Sequence, residues 1–167
     1  CVHEAVADGV LHMIAGAAQE LCVGNPAELA TDVGPLIDAE AFEGISRQVV
    51  RLKKESKPLL SHDGIDLSAM PNLMPPQMFE VADIGAVGEE IFGPVLQVLR
   101  WGPGCAGLES PDAVVRAINS LGYGLTFGIQ TRIDSRAQAL AGAAHIGNVY
   151  VNRNMIGAVV GLQPFGG

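Results

Sequence analysis

Glu89-Glu90-Ile91-Phe92-Gly93-Pro94-Val95 sets two carboxylates and an aromatic ring on one side of a Gly-Pro turn, directly ahead of an apolar run. A carboxylate can accept two hydrogen bonds from a vicinal diol such as a ribose. An aromatic ring two residues on can lie against a flat heterocycle. By spacing alone, the same seven residues also describe a solvated acidic pair ahead of a core phenylalanine.

The other reactive side chains are sparse. Cys1, Cys22 and Cys105 are odd in number and far apart, and no CxxC or Cys/His cluster has metal-ligand spacing. No metal site is expected, and the cysteine usage fits a reducing compartment, hence a cytoplasmic protein. Cys22 falls near a predicted helix end and Cys105 in a Gly-rich turn, so neither reads as a nucleophile. His3, His12, His62 and His145 are scattered and receive no chemical role.

Composition narrows the class. Of 167 residues, 49% are hydrophobic and 17% charged, which excludes a solvated disordered chain. The formal net charge is −8, and the densest basic stretch is Arg51, Lys53, Lys54 and Lys57. A nucleic-acid surface is therefore not expected here. No apolar run approaches the roughly 18 residues of a spanning helix, and no secretory leader is seen. The chain opens on Cys1 and closes on Gly166-Gly167, and is expected to be part of a longer polypeptide.

The elements that would position these residues follow from periodicity. Residues 4–22 read as a helix with Val6, Val10, Ile14, Ala17 and Leu21 on its inner face and Gly24 as its stop. A second helix starts at Asp38 as N-cap and buries Phe42, Ile45, Val49 and Leu52. Lys53, Lys54 and Lys57 favour its C-terminal end, and Pro58 stops it. Residues 59–79 are irregular, with short strand candidates among their prolines. Residues 95–101 read as a buried strand. Ser110-Pro111 caps a third helix, lined by Val114, Val115, Ile118 and Leu121 and ended by Gly122. Residues 125–130 and 149–152 are strands on either side of a small-residue helix over 135–144. Strand-helix alternation in the second half implies parallel strands. One α/β domain, with no internal repeat or linker, is the expected organisation.

The Glu89–Val95 stretch resembles the EEIFGPV signature of the aldehyde dehydrogenase superfamily over seven unbroken residues. Three further stretches follow that family's order: Gly34-Pro35-Leu36-Ile37, Tyr123-Gly124-Leu125-Thr126, and Gly147-Asn148-Val149-Tyr150-Val151-Asn152 followed by Pro164-Phe165-Gly166-Gly167. The resemblance covers nearly the whole chain. It implies a parallel-rich open sheet with flanking helices, the C-terminal part of a catalytic domain spanning residues 1–167. It assigns Glu90 to the ribose of the nicotinamide half of NAD and Phe92 to the nicotinamide itself.

Residues 157–167, Gly-Ala-Val-Val-Gly-Leu-Gln-Pro-Phe-Gly-Gly, are similar to the aldehyde-anchor loop of L-glutamate γ-semialdehyde dehydrogenases, most of all the version in bacterial bifunctional proline-utilisation proteins. By that likeness the backbone N–H groups at Gly157 and Ala158 bind the substrate α-carboxylate, and Phe165 packs on its aliphatic part. Successive amides in a tight loop bind an anion without a cationic side chain, and Gly157 has the needed backbone freedom. Without the likeness the stretch is an ordinary Gly-rich surface loop.

The family's chemistry is covalent: a cysteine thiolate attacks the aldehyde, hydride passes to NAD, and a glutamate-activated water hydrolyses the thioester. Cys1 runs almost directly into the 4–22 helix, leaving no room for the strand that follows the family's nucleophile. The nucleophile, the general base, the oxyanion-holding asparagine and the dinucleotide-binding domain are therefore expected upstream, and no residue here is assigned as catalytic. The expected parent oxidises glutamate semialdehyde to glutamate in proline catabolism and forms a homo-oligomer, with fusion to a proline dehydrogenase left open. Two alternatives stand beside it: a non-catalytic module binding a carboxylate or a partner, and an aldehyde dehydrogenase with another substrate.

Overall fold

The Asp38 side chain accepts a hydrogen bond from the Ala41 N–H at 2.8 Å and so opens the second helix where the capping pattern predicts. The computed structural model describes residues 1–60, 66–156 and 161–162. In chain order these form β1 (Val2–His3), α1 (Glu4–Gln19), α2 (Ala39–Glu55), β2 (Lys57–Pro58), β3 (Gln77–Glu80), β4 (Val95–Val98), β5 (Arg100–Trp101), α3 (Pro111–Ser120), β6 (Thr126–Ile129), α4 (Asp134–Ala143) and β7 (Asn148–Val151). Short 3-10 turns lie at Leu67–Ala69 and Ile84–Val87. The chain divides into two compact units, Cys1–Arg100 and Trp101–Gly167.

In the first unit, β3 is the centre of a three-stranded sheet. It runs parallel to β4 in the register Gln77↔Val95 to Glu80↔Val98. It runs antiparallel to β2 through Lys57↔Glu80 and Pro58↔Phe79. The α2 stripe behaves as its spacing requires: Ile45, Val49 and Leu52 are buried and Phe42 is half-buried. Leu52 and Phe79 are the largest side chains fully withdrawn from solvent, each contributing about 1.5–3 kcal/mol of burial.

Helix α1 departs from its sequence reading in which face it buries. Ala7 and Leu11 pack with Met78 and Val98, and Ala15 lies against them, whereas Val6 is 55% exposed. Apolar residues surround most of this helix, so a 3.6-residue period fits more than one face. The small Ala7 lets the helix backbone approach the sheet closely. The N-cap is His3, whose Nδ1 accepts from the Ala5 N–H at 3.1 Å.

The single strand expected over 95–101 is divided into β4 and β5 at Leu99. Its carbonyl accepts the Val2 N–H at 2.8 Å, and its side chain is buried. Strand β3, inside the stretch read as irregular, exists through its pairing with β4, a partner about one loop away in sequence.

In the second unit, Ser110 Oγ accepts from the Ala113 N–H at 3.2 Å, Pro111 occupies the first turn of α3, and Gly122 closes the helix with φ of 77°. Strands β6 and β7 pair in parallel from Thr126↔Asn148 to Ile129↔Val151. Val115, Ile129 and Leu140 form the core, with Phe127 and Val149 against it. Parallel strand pairs joined to packed helices in both units give the α/β fold expected. Among the described residues no helix is long and apolar enough to cross a membrane.

Candidate functional site

The loop that joins the Ile84–Val87 turn to β4 carries Glu89, Glu90, Ile91 and Phe92. Glu90 is exposed and Phe92 is 81% exposed, while Ile91 between them is half-buried. The alternation turns the carboxylate and the aromatic ring outward. Phe92 is therefore not the core phenylalanine that spacing alone allowed.

Both side chains line one groove of ≈ 460 Å³ with Ala41, Arg47 and Gln48 from α2. A carboxylate, an open aromatic face, a guanidinium and an amide thus meet in a single depression. Such a set can bind a diol through the carboxylate and a flat ring through the phenyl face. The nicotinamide half of a dinucleotide carries both groups. Arg47 and Gln48 were not predicted for the site. They lie some forty residues upstream, and nothing in their local spacing ties them to the loop.

The loop is fastened at both ends. Downstream, Gly93 packs on α2 so closely that a β-carbon there would lie 2.7 Å from Ile45 Cδ1 and 3.5 Å from Leu36 Cδ2. The Gln77 N–H donates to the Pro94 carbonyl at 2.7 Å, tying the loop exit to β3. Upstream, Asp83 caps the 3-10 turn through the Ala86 N–H at 3.0 Å. Gln97 Nε2 donates to the Val87 carbonyl at 3.3 Å. Arg51 Nη1 donates to the Ala86 carbonyl at 3.3 Å. Gly88 then turns the chain with φ of 68°.

The predicted anchor residues Gly157, Ala158 and Phe165 lie outside the described residues. The segment leading to them is described. Asn152 adopts φ of 55°, and its Oδ1 accepts from the Thr131 N–H at 3.0 Å. The Arg153 guanidinium lies over the Tyr150 ring, 4.8 Å from its centroid. Gln130 Nε2 donates to the Arg153 carbonyl at 3.1 Å. Cys1 and Cys22 are exposed and Cys105 is half-buried. Cys1 directly precedes the two-residue β1 and α1.

The profile of the aldehyde dehydrogenase family matches residues 1–167. The chain is 40% identical over 173 residues to the bifunctional protein PutA of Escherichia coli K12, covering 100% of this chain and 13% of that protein. It is 36% identical over 167 residues to the 1-pyrroline-5-carboxylate dehydrogenase of Bacillus cytotoxicus, covering 99% of this chain and 31% of that enzyme. A crystal structure of a point mutant of proline utilization A from Bradyrhizobium japonicum superposes with a TM-score of 0.89 at 44% identity, over 99% of this chain and 16% of that one. The chain thus spans a minor part of the length of each relative. A family profile matched from end to end, on an α/β fold with these motifs in order, means that this chain belongs to the aldehyde dehydrogenase family.

Proposed function

We propose that this chain builds one wall of the nicotinamide site, together with the substrate-anchor loop, of an NAD-dependent enzyme that oxidises L-glutamate γ-semialdehyde to glutamate in proline catabolism. The observation that carries this reading is the outward pairing of Glu90 and Phe92 in one groove. Likeness along the whole chain to 1-pyrroline-5-carboxylate dehydrogenase and PutA proteins supports the substrate class.

When bound, NAD supplies the hydride acceptor. Glu90 would hold the ribose hydroxyls of its nicotinamide half through its two carboxylate oxygens, and Phe92 would offer its exposed ring face to the nicotinamide. By the family likeness, the backbone N–H groups of Gly157 and Ala158 would take the substrate α-carboxylate, and Phe165 would cover its aliphatic chain.

The thiolate that attacks the aldehyde is assigned to a residue upstream of Cys1, as are the general base and most of the dinucleotide surface. Residues 1–167 alone are then inactive, because Glu90 and Phe92 are too small a contact to hold NAD tightly. A homo-oligomer in the cytoplasm, with or without a fused proline dehydrogenase domain, belongs to the same reading.

The test is Glu90→Gln in the full-length enzyme, assayed by NADH absorbance. Loss of NAD affinity or turnover with unchanged melting is expected. Unchanged kinetics with NAD would remove Glu90 from the site.

A further inference from the structure

Arg51 belongs to α2, one turn beyond the groove-lining Arg47 and Gln48, and its own side chain is not in the groove. Its guanidinium nevertheless touches the site from behind. Nε donates to Gln48 Oε1 at 3.0 Å, and Gln48 lines the groove. Nη1 donates to the Ala86 carbonyl at 3.3 Å, in the turn just before the Glu90 loop, and pairs with Glu55 Oε2 at 3.0 Å. A β-carbon on Gly88 would lie 3.4 Å from Nη2, so the loop backbone passes directly over the guanidinium. One planar fork thus bonds a wall residue and the turn at once, with the first residue of the loop passing beside it. A lysine ammonium is a point donor on a flexible stem and lacks this fixed geometry.

We infer that Arg51 is a positioning residue for the cofactor wall: it sets the height of the Glu90–Phe92 loop over α2 and thereby the affinity for the nicotinamide half of NAD. The inference rests on the function proposed above. Arg51 touches no substrate or cofactor atom. Its effect runs through Glu90, so it acts on NAD and leaves the aldehyde site alone. Glu55 is a more exposed partner at i+4 and has no part in this effect; such pairs contribute little.

The experiment compares Arg51→Lys, Glu90→Gln, the double variant and Glu55→Gln in the full-length enzyme, with KM for NAD and for aldehyde measured separately. Arg51→Lys is expected to raise KM for NAD on the order of three- to tenfold, the scale of one lost hydrogen bond to a carbonyl, with KM for aldehyde unchanged. The double variant is expected to be no worse than Glu90→Gln alone, since both changes disable one contact. Glu55→Gln should leave both constants as they were.

If Glu90→Gln raises KM for NAD and Arg51→Lys does not, or if the two losses multiply, the positioning role is wrong while the function stands. An equal rise in both Michaelis constants, or an equal effect from Glu55→Gln, also overturns it, because that is the mark of general destabilisation. If Glu90→Gln itself has no effect on NAD, the functional reading fails first. Arg51→Gln, which keeps much of the stem packing without the fork, serves the same comparison if the lysine variant does not fold.

Discussion

Gly93 packs against Ile45, a residue of the groove lining, with no space for a β-carbon between them: one built on residue 93 meets Ile45 Cδ1 at 2.7 Å. Helix α2 and the Glu90–Phe92 loop are therefore held together by a missing side chain. This gives the glycine of the EEIFGPV motif a packing reason independent of any cofactor.

Gly93→Ala should destabilise the loop by about 1–3 kcal/mol, the usual cost of overpacking a filled site. Ile45→Val removes the offending methyl and by itself costs about 0.5–1.5 kcal/mol. The double variant should be better than the sum of the two. Hydrogen exchange of the amides at 88–95 and in α2 reads the result. Strict additivity would show that the loop escapes the clash by moving away.

Phe92→Ala should leave folding within about 0.5 kcal/mol of the parent, because the ring is 81% exposed. On the proposed function it should weaken NAD positioning all the same. Thermal melting and steady-state kinetics, measured on one preparation, separate the two effects. A large fall in melting temperature would mean that the ring is packed in the full-length protein.

Gly124 passes so close to the His145 backbone that a β-carbon would lie 2.9 Å from its carbonyl oxygen, and its own carbonyl accepts the Gly147 N–H at 2.8 Å. Gly124→Ala should cost about 1–3 kcal/mol by pushing apart the approaches to β6 and β7. A backbone oxygen cannot rotate out of the way as a side chain can. Faster amide exchange across residues 124–129 and 147–151 is the expected signature, and protected amides there would refute it.

Glu109 predicts a pH dependence. The Gly107 N–H, donating at 2.9 Å, is the main reason its carboxyl is held below the usual range; Arg116 adds a smaller attraction. A group with a lowered folded pKa contributes stability above its unfolded pKa and loses it as pH falls through the folded value. The turn before α3 should therefore loosen on acidification, and Glu109→Gln should remove that part of the acid response. Amide exchange at 105–110, followed from roughly pH 6 down to pH 3, decides it. Equal acid sensitivity in the variant would count against the bond.

Local chemistry was readable from the residues themselves. Asp38 and Ser110 cap helices because their side-chain oxygens reach amides three residues away, and Gly122 ends α3 because its left-handed φ suits glycine. The α2 stripe could be read because polar and small residues, with Val50 as the one large exception, fill the rest of that helix. The chemistry of Glu90 and Phe92 was visible in their motif, through likeness to a family more than through spacing.

Contacts between distant segments could not be read in this way. Which face α1 buries depended on Met78 and Val98, since its apolar residues satisfy several faces equally. The break at Leu99 depended on the Val2 amide, and β3 depended on its pairing with β4. The groove took its second wall, Arg47 and Gln48, and its hidden brace, Arg51, from a helix some forty residues before the motif. Periodicity and capping act over one or two turns of chain, whereas packing joins whichever surfaces fold together, and only that step brought α2 beneath the loop.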